Sequence, residues 1–425
     1  SGTITARVGY IRHWGKLRAA DPTPGAYRPH TVKVSSYDRI RDLAETKVRA
    51  IDVAINKSET ELLTLMLDSL PAVAQPLQRD FATGVDTYPY AFNELGSGTV
   101  ALKICKNIAV SGFATIFMKG DGTLVLQSRH TRSSGSSQFH FDETMTDLTT
   151  AASVDELVNN VRTTINPRTV DTAATTVIAS TTGTPLSVDA GDTLTVYLEY
   201  RDPTDTQTLI GGTAVVNATA TTDYLGYSTI TGTGGSDLTS SLTVTTTAYA
   251  STAKLAIANG HATDTIYLVD ADGDAFLQLR GKGIYQKSPQ SFEAISAQAY
   301  GDKMLTIDLK YQSDTTNAQS YALVVEENYN SQLRASLETI TFNGNSSDDL
   351  LLQALAREPG EIVSITESSV GAAQIDMVIQ SISLNVTQGP WVTCTYGLAP
   401  ATTFAMWILG DATRSKLGDT TVLGF

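Results

Sequence analysis

The sequence predicts a mainly β protein with a few short helices, built as several domains: a multi-domain β-barrel frame with an inserted β-sandwich. Three observations predict it. The chain has 425 residues, too many for one core, so roughly two to four domains are expected. Charged residues make up only 17% while hydrophobic ones reach 41%, and Ser, Thr and Gly are abundant, a mixture that favours β-rich extracellular or virion proteins. Short alternating runs of β-branched and aromatic residues recur between Gly, Asp and Pro turns along most of the chain.

Taken in order, "TITARVGYIRHW" (3–14) and "TVKVSSYD" (31–38) read as two strands of a long hairpin around a Pro-rich loop. The segment from Ser36 to Pro71 reads as helical. Ser36 is placed as a cap for a helix through Asp38, Ile40, Leu43, Ala44 and Val48. Ser58 and Glu61 then form a capping box before "LLTLMLDSL", which stops at Pro71. A third helix is expected from Thr99 to Val110, ending at Gly112, followed by a hairpin turning at Lys119-Gly120-Asp121-Gly122. Ser153 and Glu156 make a second capping box heading "VDELVNNV", and "RTTINPRTVD" leaves as a strand at Pro167.

Composition then shifts. From Asp171 to Thr252 the only basic residue is Arg201, against eight carboxylates. Runs such as "DTLTVYLEY" and "SSLTVTTTAY" carry too much β-branched and aromatic residue for a disordered Thr-rich linker, so a β-sandwich is expected. Beyond it, "KMLTIDLKY", "ASLETITFNG", "EIVSIT", "IDMVIQSISLNVT" and "WVTCTYGLAP" read as strands, and "TNAQSYALVVEENYN" and "SSDDLLLQALAREPG" as helices. The expected organisation is 1–36 strands of a first barrel, 37–168 an α+β domain, 169–286 the acidic insertion, 287–400 a second barrel region and 401–425 a docking tail. The tail carries Met406, Trp407, Ile408, Leu409, Leu417, Val422, Leu423 and Phe425 and repeats Leu-Gly pairs, so it is expected to pack on another surface. The chain starts at Ser1 in strand-like sequence, and an upstream portion is expected to precede it.

Net charge is −14 with no Lys/Arg cluster, so specific nucleic-acid binding is not expected. No apolar run is long enough for a transmembrane helix, so stable membrane insertion is not expected either. Cys105 and Cys394 are the only cysteines, which excludes a disulfide framework, and both read as buried thiols. No catalytic, metal or cofactor site is assigned: nucleophile elbows, phosphate loops and zinc spacings are all absent. "VDADGDAF" places Asp270, Asp272 and Asp274 like the start of a calcium loop, but its Gly sits too early and position 12 is Gly281, so a hairpin tip is expected. The Gly-rich "TGTGGSDLTSS" has no following Lys and reads as a turn. His140 and Asp142 alternate onto one strand face and read as a polar surface pair, and Trp14, Trp391 and Trp407 as buried in a core or subunit interface.

Several stretches carry a resemblance: "VGYIRHW" followed by "VKVSSYDRIRDLA", "GDGTLVLQSRHTRSS" with "VDELVNNVRTTINPR", "YGDKMLTIDLKY", "ALAREPGEIVSIT" and "MWILGDATRSKLGDTTVLGF". In their order they resemble the baseplate hub, or minor tail protein, at the tail tip of long-tailed (siphovirus-type) bacteriophages. The resemblance spans about three quarters of the chain and is weakest between Asp171 and Gln286. It implies a non-enzymatic virion protein made in the host cytoplasm, forming a homotrimer. Such a ring joins a distal tail protein ring to tail fibre or tip proteins and lets the tape measure protein and then DNA pass. Two alternatives from other classes are a carbohydrate- or receptor-binding adhesin built on the acidic insertion, and a cell-wall or polysaccharide hydrolase.

Overall fold

The computed structural model describes residues 13, 15–23, 31–48, 51–91, 99–129, 131, 136–150, 158–296, 301–329, 337–368, 372–387, 389, 391–401, 405–406 and 421–422. The fold is mostly β, as expected, with α-helices α1 (Arg39–Glu45), α2 (Glu59–Asp68), α3 (Ala101–Ser111), α4 (Thr315–Tyr329) and α5 (Asp348–Ala356) among the described residues.

The N-terminal hairpin pairs Lys16–Thr23 with Thr31–Tyr37, so strand continues to Thr23 where a loop was expected from Ala19. The earlier stretch, residues 3–12, lies outside the described residues. Ser36 does not cap α1. It pairs with Leu17 in the hairpin, and Asp38 is the first capping side chain left free, accepting from the Ile40 amide at 3.1 Å. The helix ends at Glu45, short of Val48, because the chain there pairs outward: the Val48 amide donates to the Thr99 carbonyl. Nor is 36–71 continuously helical, since Ala54–Ser58 forms a strand against Thr87–Ala91.

The Ser58–Glu61 capping box is present in both directions. It sets the phase of α2 so that Leu62, Leu63, Met66 and Leu67 are all buried, facing Ile104, Cys105 and Ile108 of α3 across one core. Each large apolar side chain so buried stabilises by roughly 1.5–3 kcal/mol. Pro71 lacks an amide hydrogen and cannot continue the helix, and Gly112 closes α3 as its spacing predicted. Ser58→Ala is expected to cost about 1 kcal/mol, read as a lower urea midpoint with an unchanged slope.

Strand Asn160–Ile165 is the pivot of the middle of the chain. It pairs antiparallel with Gln290–Ile295 and parallel with Met304–Leu309, and α4 covers one face through Val161, Ala294, Ala322 and Val325. The Ser153–Glu156 box lies outside the described residues, and from Asn160 the sequence expected as helix is strand. Arg168–Val170 pairs antiparallel with the end of Gln278–Gln286. The chain therefore enters and leaves the region between them on adjacent strands. That region has its own core, including Tyr200, Leu255, Ile257, Ile266 and Leu279, formed from short sheets. It also touches the first core: Ala250 and Ile284 are buried there, and the Ala250 amide donates to the Ile51 carbonyl at 2.7 Å.

The last architecture is a six-stranded sheet that curls as a half-barrel, in the order His140–Phe141, Ile362–Glu367, Ala372–Thr387, Trp391–Pro400, Leu337–Asn343, Asp147–Thr150. Its two outer strands come from before the insertion and do not pair with each other among the described residues. Its inner face packs Phe141, Phe342 and Tyr396, with ring centroids 5.1–6.0 Å apart, against α5. Ser347 caps α5 by accepting from the Leu350 amide.

Candidate functional site

Two features stand out: a sealed polar junction and an open strand edge. At the junction, Asp86 lies just before strand Thr87–Ala91 and Arg129 just after strand Thr123–Gln127. Their ion pair is bidentate, at 2.8 and 2.9 Å, with side chains 3% and 7% exposed. Asp86 also accepts from the Gln312 and Asn317 side-chain amides and from the Tyr321 hydroxyl. The Tyr321 hydroxyl in turn accepts from Arg129. The junction therefore ties residues before the insertion to α4 after it.

Glu59 is fully buried beside it and accepts from the Val85 and Asp86 amides at 2.7 and 3.1 Å. Burial pushes its carboxyl above the usual range, while those amides oppose the shift. Burial likewise pushes the Tyr88 and Tyr321 hydroxyls well above their ordinary values. Two carboxylates, a guanidinium and two phenols have the composition of a reactive centre. Their geometry is that of a fastener: both Asp86 oxygens are occupied and the groups are withdrawn from solvent.

The open edge lies on the long strand Ala372–Thr387. Strand Ile362–Glu367 pairs with it as far as Val378, and backbone bonds between Ile379 and Gly360 and Glu361 extend the contact by one residue. From Ser381 to Thr387 that side has no strand partner among the described residues, while the other side is fully paired with Trp391–Pro400. An unpaired row of backbone donors and acceptors is a template for another strand, and edges meant to stay free usually carry Lys, Pro or a charge. This one carries none: no charged residue occurs from Met377 to Gly410. That signal was present in the sequence and was not drawn from it. The junction left no such signal, because Asp86, Arg129 and Tyr321 are separated by 43 and 192 residues.

The residues singled out from sequence fall elsewhere. Asp270 turns its own chain: its carboxylate accepts from the Asp272 and Asp274 amides at 2.9 and 3.0 Å. The flanks pair antiparallel across the tip, with the Asp270 amide donating to the Asp274 carbonyl at 2.9 Å, a bridge between Val269 and Ala275, and the Phe276 amide donating to the Leu268 carbonyl at 3.2 Å. The tip is that of a short hairpin whose flanks then join different sheets. The Gly-rich stretch packs directly on it, with the Thr233 hydroxyl donating to the Ala271 carbonyl. Gly232, at φ +66°, sits so close that a Cβ would lie 2.2 Å from the Asp270 carbonyl oxygen, so only glycine fits. Asp272→Asn is expected to leave the melting temperature unchanged in calcium and in chelator. A calcium-dependent rise abolished by the substitution would contradict this turn.

His140 does not pair with Asp142. Its Nδ1 contacts the Ser364 hydroxyl at 2.9 Å, and Asp142 accepts instead from the Thr144 amide. Trp391 is not in the core: it is 56% exposed beside the turn of the long hairpin, and Trp14 and Trp407 lie outside the described residues. Cys105 and Cys394 are both buried, and burial pushes the Cys105 thiol up to about 12. Of the C-terminal stretch, Ala405–Met406 and Thr421–Val422 pair in parallel, and most of the rest lies outside the described residues. Among the described residues no helix is long and apolar enough to cross a membrane.

No protein-family model matches the chain, and no curated protein matches it. Among solved structures it is similar to the 43 kDa tail protein of prophage MuSo2 from Shewanella oneidensis, with a TM-score of 0.46 at 9% identity over 94% of this chain and 86% of that one. It is also similar to a tail protein from Neisseria meningitidis MC58, with a TM-score of 0.48 at 9% identity over 90% of this chain and 78% of that one. Function has to be read from this chain's own residues.

Proposed function

We propose that this protein is a structural subunit of a phage tail tip, a hub that assembles as a homotrimeric ring within the virion. The observation that carries the proposal is the uncharged edge Ser381–Thr387, which has no strand partner among the described residues, on a sheet that curls as a half-barrel. A half-barrel that leaves strand edges open is completed most directly by a strand from a second copy, and repetition of that contact around an axis closes a ring. The sequence resemblance to tail-tip hubs supplies the setting. In that reading the ring joins the distal tail protein ring to fibre or tip proteins, and its opening passes the tape measure protein and then DNA. The junction around Asp86 supports the same reading, since it is built to hold the subunit's parts together and leaves no reacting group exposed. The hydrolase alternative gains nothing from Glu59 and Asp86, because both are sealed. Electron images of the purified 425-residue chain test the proposal. Threefold rings with a central opening are expected, and compact particles without symmetry would overturn it.

A further inference from the structure

The inserted β region holds a groove of about 850 Å³ that the assembly reading does not use. One wall is strand Thr176–Ser180, the other is the end of strand Thr193–Glu199, and the hairpin of Arg201–Asp202 and Asp205–Leu209 closes one side. The volume is that of a small-ligand site. Tyr197 lines it with its side chain left 64% exposed, unusual for an aromatic residue on a strand whose neighbours reach a core. Beside it the Arg201 guanidinium is fixed by Glu199 at 2.6 Å and by the Thr206 carbonyl at 3.0 Å. Thr182 and Gln207 add a hydroxyl and an amide to the lining.

Charge narrows the ligand. Residues 171–286 carry twelve carboxylates and four Lys or Arg side chains, so phosphates, sialylated sugars and other anions are repelled. A purely apolar ligand would take water from the exposed ion pair, hydroxyls and amide without replacing its hydrogen bonds. A sugar meets both conditions: one face of C–H groups suits an aromatic ring, and its rim of hydroxyls both donates and accepts.

We propose that this groove binds an uncharged oligosaccharide, with Tyr197 as the stacking platform and the Glu199–Arg201 pair hydrogen-bonding the sugar hydroxyls. The proposal stands whether or not the chain forms a ring. The 425-residue chain is applied to an array of neutral, amino-sugar-containing and sialylated oligosaccharides, and the best-retained neutral one is titrated by calorimetry. Retention of neutral sugars is expected, with about tenfold weaker binding by Tyr197→Ala. The melting temperature of that variant should match the parent, because the ring is exposed. The strands Thr176–Ser180 and Thr193–Glu199 each pair on one side only among the described residues, so an extended peptide is the competing occupant. Retention of sialylated sugars alone, no neutral sugar bound at millimolar concentration, equal affinity of Tyr197→Ala, or selection of extended peptides from a display library in place of sugars would each overturn the proposal.

Discussion

Asp86→Ala is expected to be the most destabilising single substitution at the junction, lowering stability by about 3–5 kcal/mol. The reason is what it leaves behind. The Arg129 guanidinium stays buried without its counter-charge, and the Gln312, Asn317 and Tyr321 donors lose their shared acceptor. A second substitution, Arg129→Met, should restore part of the loss by removing the stranded charge, but not all of it, since those three donors remain. The measurement is urea unfolding of the two single variants and the double variant. Additive losses would show that the pair is not coupled. Glu59 makes the same region sensitive to pH. Its folded value lies above its unfolded one, so its contribution is fully present below the unfolded value and is lost as pH rises through the folded value. Glu59→Gln should flatten stability over that window, and an unchanged slope would show that Glu59 is not what titrates there.

Ser383→Lys combined with Asn385→Lys is expected to turn a trimer into monomers while leaving each chain folded. Both positions are exposed on the free edge, so the substitutions bury nothing in the isolated subunit. Pairing with a second copy would place two ammonium groups inside the new strand contact, and lysines on an edge are what keep such edges unpaired. Sedimentation velocity should show the smaller species, with near-ultraviolet circular dichroism unchanged. Persistence of the trimer would place its contacts elsewhere.

What the sequence disclosed follows the range of each interaction. Helix ends were legible where a short side chain caps its own backbone, as Ser58 with Glu61 does, or where Gly112 stops a helix. The first helix was misplaced because Ser36 and Asp38 are both capping types, and only the hairpin register, set by residues on the other strand, decides between them. Pairing across the insertion was not legible: Asn160 lies beside Met304, and His140 beside Ser364, through parallel registers that local patterns do not encode. The junction was hidden for the same reason, since a single aspartate, arginine or tyrosine has no period. The aspartate turn was legible because Asp270 caps its own turn within four residues, whereas the sheets its flanks join were not.

The central claim is that this chain associates through an open edge into a closed ring. Light scattering coupled to size exclusion tests it most directly, on the unmodified protein across micromolar concentrations. The account predicts one species at three times the chain's 45.3 kDa. A single species at 45.3 kDa throughout that range would contradict it.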